Sequence, residues 1–501
     1  MLDSFFITLS TNFIPIILFG FILIIFFNLV FRTKTSYLII IFLLFWYPLE
    51  NFLFNYLPPD YFLIFKYFPE ILLYLTTILA WILYIKRTGR LYPKTPLNKP
   101  LFFFILIGFI SWIINFYNPV VWLLGLRQIL RFVAVFWLVM LEDYNRQTIK
   151  TLLYIIGGVI GFEAILGLVQ YLSGGSLDQY LFFSGAFGVA KGHLGELPQF
   201  WAPGTRVFAT LGRYDQLGSF LLLGLILVLS VFYVIPKEKL KLKRLQIPFI
   251  LFGGIGLLSL FFTYSRASWI GFIMAALFVG WFLMKDVKVI KIFVGVIILG
   301  ALYLGTFALT YTGNVLNITD KPRSSLGERI VEIASPASLK AGYEGYGRIF
   351  FIINTPLVVV RSSPIWGVGL GNYGGDVAAY LHNTEVYDRL DLPFGIQNFY
   401  GQIDNNWFAI WGELGTVGLL LWMWIFYTVI KTSWVVAQKS KETVGLILGR
   451  AVAGITVGVM VLGFFGPYFE FRSLMFYFWL LTGLLFLYWR RHKNLANFLK
   501  I

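Results

Sequence analysis

The sequence predicts an all-α polytopic membrane protein with about 12–13 transmembrane helices and one large extracytoplasmic loop. Two observations lead to this fold class. Of the 501 residues, 58% are hydrophobic and only 13% are charged, with a mean hydropathy of +0.78, whereas soluble domains contain about 25% charged residues. Apolar stretches long enough to cross a bilayer also recur along the chain. We therefore expect residues 1–501 to form a single integral membrane domain.

The candidate spans are the stretches that approach or exceed the roughly 18–20 apolar residues needed to cross a bilayer. The first, 12–31, is too long for the apolar region of a signal peptide and lacks a small-residue cleavage site, so no cleavable signal peptide is expected. The remaining spans are 37–55, 68–85, 101–117, 120–140, 151–172, 212–235, 247–264, 268–284, 291–311, 406–430, 446–466 and 472–489.

The positions of Lys and Arg predict the orientation. Most of the 40 Lys and Arg residues fall in connections that lie on one side when the spans alternate, such as KEKLKLKR at 237–244 and the tail from Arg490. By the positive-inside rule that side is the cytoplasm, with the N-terminus outside and the C-terminus inside. The opposite side has two long connections, about 173–211 and 312–405. The second is the large extracytoplasmic loop, and loops of this length are usually functional.

Composition also restricts the chemistry. The chain has no Cys, and its three His residues, at 193, 382 and 492, are far apart in sequence, so no metal site, thiolate chemistry or cofactor is expected. The formal net charge of +16 is explained by topology, and we expect no nucleic-acid partner.

Two arginines are predicted inside the membrane. Arg127 and Arg131, in LRQILRF, are four residues apart and share a helical face in the outer half of the span. An intramembrane cation is costly and marks a functional site by default. The alternative is that Arg127 forms a structural ion pair with Glu163.

Other cations lie at span ends or in the large loop. Arg266 stands in TYSRASW, between two spans on the outer side; its alternative role is an interfacial arginine that snorkels to the membrane surface. The loop arginines are interpreted as solvated charges beside acidic residues; they are Arg323, Arg329, Arg361 and Arg389. Guanidinium groups bind phosphate through two hydrogen bonds. Arginines at outer span ends therefore favour an anion at the outer leaflet, and a lipid-linked diphosphate fits best.

Four blocks carry a resemblance to a known family. They are RVFATLGRYDQLGSFLLLGL (206–225), TYSRASWIGF (263–272), GRIFFIINTPLVVVRSSPIWGVGLGNY (347–373) and DNNWFAIWGELGTVGLLLW (404–422). In order, spacing and side of the membrane they resemble the O-antigen ligase and polysaccharide polymerase family. The resemblance covers an O-antigen ligase-like core of about residues 200–425. It implies a GT-C-like membrane glycosyltransferase of the cytoplasmic (inner) membrane, with its active site on the extracytoplasmic side.

The resemblance also implies substrates and site residues. Such enzymes transfer a glycan from a polyprenyl diphosphate-linked donor to an acceptor hydroxyl without metal or nucleotide, and the acceptor is a glycan, lipid or protein. Arg206 and Arg266 match the two motif arginines expected to bind the donor diphosphate, and Arg348 matches a third more loosely. Membrane lipid is the other expected partner.

The sequence departs from the family at the expected catalytic base. Asp404-Asn405 stands where ligases of the family have His-Asn, so Asp404 is predicted to deprotonate the acceptor, a role that a carboxylate can fill. The alternatives are that Asp404 caps the following helix, or that His382, followed by Asn383, is the base.

Two further residues follow on the same predicted helix. Trp407 shares the face of Asp404 and either stacks on a sugar ring or anchors the helix at the interface, as Trp411 also would. Glu413 lies about half a turn away from that face and is interpreted as the partner of an arginine on a neighbouring span.

Three classes of function therefore remain open. The first is an inverting glycosyltransferase, either a ligase or a polymerase, and the missing His favours a polymerase. The second is a transporter or flippase of a lipid-linked glycan, although the paired halves typical of transporters are not evident. The third is a structural protein of the cell envelope.

Overall fold

A computed structural model describes residues 35–54, 56, 62–181, 204–234, 243–311, 325–332 and 335–492. The predicted span 12–31, His193 and Arg323 lie outside these residues. Within them the chain is helical. The long helices are α1 (Thr35–Phe54), α2 (Phe62–Thr88), α3 (Asn98–Asn115), α4 (Pro119–Leu130), α5 (Val133–Glu142), α6 (Arg146–Leu172), α7 (Tyr214–Val234), α8 (Lys243–Phe262), α9 (Arg266–Leu277), α10 (Val287–Thr310), α11 (Asn406–Lys439), α12 (Thr443–Leu462) and α13 (Arg472–Arg491).

These helices confirm the predicted fold class. Ten helices of the described part are long and apolar enough to cross a membrane, or eleven when α4 and α5 are counted as one bent span. The predicted spans from 37–55 onward each coincide with one of the helices or with this pair. The predicted single span 120–140 is bent by 61° between α4 and α5, at Arg131 and Phe132. The protein is therefore an all-α integral membrane protein.

Side-chain caps define where several helices begin. Asn145 accepts a hydrogen bond from the backbone N–H of Thr148 at the start of α6, and Asp286 accepts one from Lys288 at the start of α10. Such caps satisfy backbone donors that have no partner within the first helical turn. The helix ends are consequently set by short polar signals between the apolar runs.

The helix α13 forms the centre of the bundle. Its residues 473–489 are all buried, and it packs against α5, α7 and α12. The helix α12 in turn packs against α7, α9 and α11. By contrast, α10 has no buried residue and lies at the periphery, where its apolar surface suits lipid contact.

The two ends of the bundle differ in charge. At one end, Arg490 and Arg491 form ion pairs with Asp143, and Arg146 pairs with Glu442. The helices α7 and α9, which Lys- and Arg-rich stretches follow in the sequence, also run toward this end. The opposite end carries the described parts of the large loop.

The described parts of the large loop form short helices. They are Leu326–Val331, Pro336–Glu344, Arg348–Asn354, which continues as a π-helix over Thr355–Val360, and then Asp376–Tyr380 and Glu385–Arg389. A small apolar cluster of its own, which includes Phe351, Tyr373 and Tyr387, holds residues 351–409 together. This cluster gives the loop a defined position over the end of the bundle.

Candidate active site

A cavity of about 500 Å³ lies at the end of the bundle where α7, α9 and α11 begin. This end is opposite to the Lys- and Arg-rich connections. Helix N-termini carry partial positive charge and favour anions. We call it the arginine cavity because five arginines line it: Arg206, Arg213, Arg266, Arg329 and Arg348.

Two of these arginines come from the segment around the start of α7. Arg206 is only 4% exposed, and its guanidinium carbon lies 4.2 Å from the centre of the Tyr214 ring, a cation–π arrangement. Arg213 forms a bidentate pair with Asp215, through Nε at 3.1 Å and Nη2 at 2.8 Å. Both guanidinium groups are therefore held in defined orientations at the cavity wall.

Arg266 is positioned by the turn between α8 and α9. Tyr264 adopts a left-handed conformation, with a φ of 53°, and Ser265 caps α9 by accepting a hydrogen bond from the backbone N–H of Ser268. Arg266 is thus the first residue of α9. Its Nη1 lies 3.1 Å from the carboxylate of Glu332 and 3.4 Å from the carbonyl oxygen of Arg329.

Glu332 is a cavity residue that the sequence did not indicate. Its side chain is only 5% exposed, and it pairs with both Arg266 and Arg329. The interpretation of Arg329 as a solvated loop charge was wrong, because its side chain is 4% exposed and lines the cavity. No sequence signal indicated this pair, since neither residue belongs to a recognisable block.

Arg348 and Asp404 meet on the wall formed by the large loop. The Nε of Arg348 donates to the backbone carbonyl of Asp404 at 3.0 Å, and its Nη2 lies 3.4 Å from the Asp404 carboxylate. The same Nη2 donates to the carbonyl of Phe465 at 2.6 Å. Arg348 therefore connects Asp404 to the turn between α12 and α13.

Asp404 is not the cap of α11. That position is taken by Asn405, whose side chain accepts a hydrogen bond from the backbone N–H of Phe408. The capping alternative for Asp404 was therefore wrong by one residue. The Asp404 carboxylate is about one third exposed and lines the cavity.

His382, the alternative base, is exposed and packs edge-on against Phe394. It does not line the cavity.

The charges of the cavity favour an anionic ligand. Its five arginines face three acidic residues, Asp215, Glu332 and Asp404, which leaves a formal excess of two positive charges. Tyr468 also lines the cavity, and burial raises the pKa of Tyr468, so its hydroxyl stays neutral. An anion here would be bound by guanidinium groups from several chain segments at once.

Arg127 and Arg131 lie elsewhere. Both pair with the buried carboxylate of Glu70, which Arg472 also contacts, at 3.2 Å. The alternative that paired Arg127 with Glu163 was wrong, because Glu163 instead accepts hydrogen bonds from the backbone and hydroxyl of Thr210. Neither arginine lines the arginine cavity, although Arg131 lines a smaller cavity beside it.

Trp407 is part of the core. It is 5% exposed, its Nε1 donates to the carbonyl of Met460 at 2.8 Å, and it packs against Phe464 and Phe469. Trp411 donates to the hydroxyl of Thr416. The structure thus brings Arg206, Arg266, Arg348 and Asp404 together at one cavity, and places Trp407 away from it.

Glu413 binds the glycine-rich run of the large loop. Its carboxylate accepts hydrogen bonds from the backbone N–H groups of Gly371, at 2.8 Å, and of Tyr373. The prediction of an arginine partner was wrong. Gly367 and Gly415 have positive φ and lie in backbone contact with each other's segments, so the glycines and Glu413 fasten this loop to α11.

Taken together, the fold and the cavity define a polytopic membrane protein with an arginine-lined cavity at one end of its helix bundle. Residues 251–423 match the family model described as O-antigen ligase. The chain therefore has an O-antigen ligase-like domain and a function of the O-antigen ligase or polymerase type in surface polysaccharide assembly. No curated protein matches the chain. Arg266, Arg329, Glu332, Arg348 and Asp404 lie inside the matched range, whereas Arg206 and Arg213 precede it.

Proposed function

We propose that the protein is a glycosyltransferase that takes a glycan from a polyprenyl diphosphate-linked donor and transfers it to an acceptor hydroxyl. The observation that carries this proposal is the meeting of five arginines and Asp404 at one cavity, at the end of the bundle opposite to the basic connections. By the positive-inside rule this end faces away from the cytoplasm. The site therefore acts on the extracytoplasmic side of the cytoplasmic membrane, where the donor's lipid remains in the bilayer.

The arginines bind and activate the leaving group. Arg206 and Arg266 approach the cavity from different chain segments, so their guanidinium groups can contact both phosphates of one diphosphate. As the bond between the anomeric carbon and the diphosphate oxygen breaks, negative charge increases on that oxygen. Fixed cations around it stabilise this charge more in the transition state than in the bound donor, which accelerates the step.

Asp404 is the proposed general base. The acceptor oxygen attacks the anomeric carbon, its proton passes to the Asp404 carboxylate, and the polyprenyl diphosphate leaves. The two contacts from Arg348 fix the backbone and the carboxylate of Asp404. One base and one direct displacement give inversion at the anomeric carbon. No group in this sequence of steps requires a metal or another cofactor.

The site suits a polymerase better than a ligase, because ligases of the family use a His at the position of the base. Asp404 replaces that His, and His382 lies outside the cavity. In a polymerase, a second molecule of the lipid-linked glycan provides the acceptor hydroxyl. In a ligase, the acceptor is a different lipid, glycan or protein.

A product gel tests the proposal. Purified protein in lipid is incubated with a polyprenyl diphosphate-linked oligosaccharide, with and without candidate acceptors. A ladder from donor alone identifies a polymerase, and a single shift that requires an acceptor identifies a ligase. We expect Arg266→Ala to reduce product at least about 100-fold, and Arg389→Ala, which changes an exposed loop arginine, to retain it. Donor that is bound but never consumed would instead indicate a transporter.

A further inference from the structure

A second, smaller cavity lies beside the arginine cavity. Its volume is about 140 Å³, and Arg213 and Pro467 line both cavities. The two are also adjacent along the chain, because Gln402 lines the second cavity and Asp404 lines the first. Two residues of extended chain span at most about 7 Å. A ligand next to Asp404 can therefore reach the second cavity with a group of about one sugar ring.

Charged groups of both signs line this second cavity: its cations are Lys66, Arg131, Arg213 and Arg472, and its carboxyl groups are Glu50, Asp376 and Glu470. Arg472 pairs with Glu50 and Glu70, and Arg131 pairs with Glu70. Arg213 is likewise bound by Asp215. A phosphate in this cavity would therefore have to displace several ion pairs. A neutral polar ligand fits it better.

The remaining wall suits a ligand that both donates and accepts hydrogen bonds. Amides come from Asn51, Gln216 and Gln402, and carboxyl groups from Asp376 and Glu470. Amides supply donors and acceptors, and carboxylates supply acceptors. Three aromatic rings, Tyr47, Phe54 and Phe471, add apolar surface. Polyhydroxylated rings, with hydroxyl groups at the edge and C–H groups on the faces, match such a wall.

The carboxyl pair is built into the structure. Glu470 is 7% exposed and accepts hydrogen bonds from the side chain of Asn406 and the backbone N–H of Asp376. Burial and the neighbouring Asp376 carboxylate raise the pKa of Glu470 well above its ordinary value, with Arg131 acting against this shift. This shift favours the protonated form of Glu470, in which the pair presents both an O–H donor and acceptor oxygens.

We propose that this second cavity binds one sugar residue of the glycan substrate, next to the bond that reacts at Asp404. This inference rests on the proposed function, since it assigns the sugar subsite of the same reaction. The sugar belongs either to the donor, next to its diphosphate, or to the acceptor, next to the attacking hydroxyl. Gln402 and Asp376 are the specificity-determining residues because their side chains line the cavity and are partly or fully exposed.

The test uses two variants with the cavity wall altered, Gln402→Leu and Asp376→Asn. Neither side chain is buried, so both variants are expected to fold, which size-exclusion chromatography and thermal unfolding check. Gln147→Leu is the matched control, because Gln147 is exposed at the opposite end of the bundle. Binding is measured with three probes: a short-chain polyprenyl diphosphate without sugar, the same lipid diphosphate bearing the oligosaccharide, and the phosphate-free oligosaccharide.

The expected result is a loss of sugar-dependent affinity. If the sugar belongs to the donor, each variant weakens binding of the glycan-bearing lipid by about tenfold and leaves the sugar-free lipid unchanged. If it belongs to the acceptor, each variant raises the KM for acceptor, or weakens binding of the free oligosaccharide, by a similar factor. Unchanged values for both glycan probes would overturn the inference. Because binding requires no turnover, a protein that binds sugar here but never consumes donor would contradict the proposed function and support the subsite.

Discussion

Arg348 is bonded to Asp404 twice, through its Nε to the backbone carbonyl at 3.0 Å and through its Nη2 to the carboxylate at 3.4 Å. The cation that the sequence placed with the donor thus holds the proposed base. The two roles are compatible, because a guanidinium group has five N–H donors and Arg348 uses only its Nε and Nη2 in these bonds and in the bond to Phe465. One side chain can therefore orient the base and face the diphosphate.

The first prediction concerns this pair. Asp404→Asn keeps the shape of the side chain but removes the proton acceptor, so we expect kcat to fall at least about 100-fold with little change in donor affinity. Arg348→Lys keeps the charge but cannot make both contacts, and should lower kcat as well. Steady-state kinetics and donor binding measure both effects. Asp391→Asn, an exposed residue of the same loop, is the control. Wild-type kcat in Asp404→Asn would exclude Asp404 as the base.

The second prediction concerns Glu332, whose carboxylate forms an ion pair with Arg266. A diphosphate must compete with this carboxylate for the same guanidinium group. Glu332→Gln removes the competing charge and should tighten binding of inorganic diphosphate by about tenfold. It should also lower the Tm, because the ion pair between the buried side chains of Arg329 and residue 332 is lost.

Calorimetric titration with inorganic diphosphate and a thermal scan measure these two effects of Glu332→Gln. Glu344→Gln is the matched control, since Glu344 is 64% exposed and forms only a surface pair with Lys340, and such pairs contribute little. An unchanged diphosphate affinity in Glu332→Gln would show that Arg266 does not bind the diphosphate.

Much of the fold was predictable because each span is long, apolar and separated from the next by charged or turn-forming residues. The meeting of Arg206, Arg266 and Asp404 was predictable because their blocks match known motifs. The ion pairs between helices were not predictable from the sequence. Arg127 contacts Glu70 rather than Glu163, and sequence spacing cannot show which helix lies beside another. Glu332 belongs to no motif, and only the folded loop brings it to Arg266.

The cap of α11 shows a different limit. Asp404 and Asn405 are both good capping residues, and the sequence does not show where the first helical turn starts. The structure uses Asn405 as the cap, which leaves the Asp404 carboxylate available to the cavity. Element boundaries inferred from sequence are uncertain by a few residues, and here a shift of one residue separates a structural role from a chemical one.

The third prediction concerns the glycine contact that fastens the large loop to α11. A Cβ on Gly367 would lie 2.3 Å from the carbonyl carbon and oxygen of Glu413, and Gly367 has a φ of +70°. Gly367→Ala should therefore lower the free energy of unfolding by about 1–3 kcal/mol and lower activity, because the loop carries Arg348 and Asp404. Gly295→Ala is the control: nothing lies within 4 Å of its Cβ position in α10, so its stability should be equal or slightly higher. Equal Tm values for the two variants would contradict this role of the loop contact.

The fourth prediction separates structural from functional cations. Glu70 is buried and pairs with Arg127, Arg131 and Arg472, which come from α4, the bend before α5 and the start of α13. Glu70→Gln leaves these guanidinium groups close together without their shared anion, so we expect a loss of about 3–5 kcal/mol in the free energy of unfolding. Glu385→Gln, at an exposed position of the large loop, should have no such effect.

Arg127 should behave like Glu70 and unlike Arg266. Arg127→Ala removes one partner of Glu70 and should lower the Tm, while the KM for donor in the remaining folded protein stays at the wild-type value, because Arg127 does not line the arginine cavity. Arg266→Ala should show the reverse. Its Tm should change little, because the Arg266 side chain is 30% exposed, whereas its activity should fall strongly. Thermal unfolding and donor kinetics on the two purified variants distinguish them. A raised donor KM with an unchanged Tm in Arg127→Ala would place Arg127 in the donor site instead.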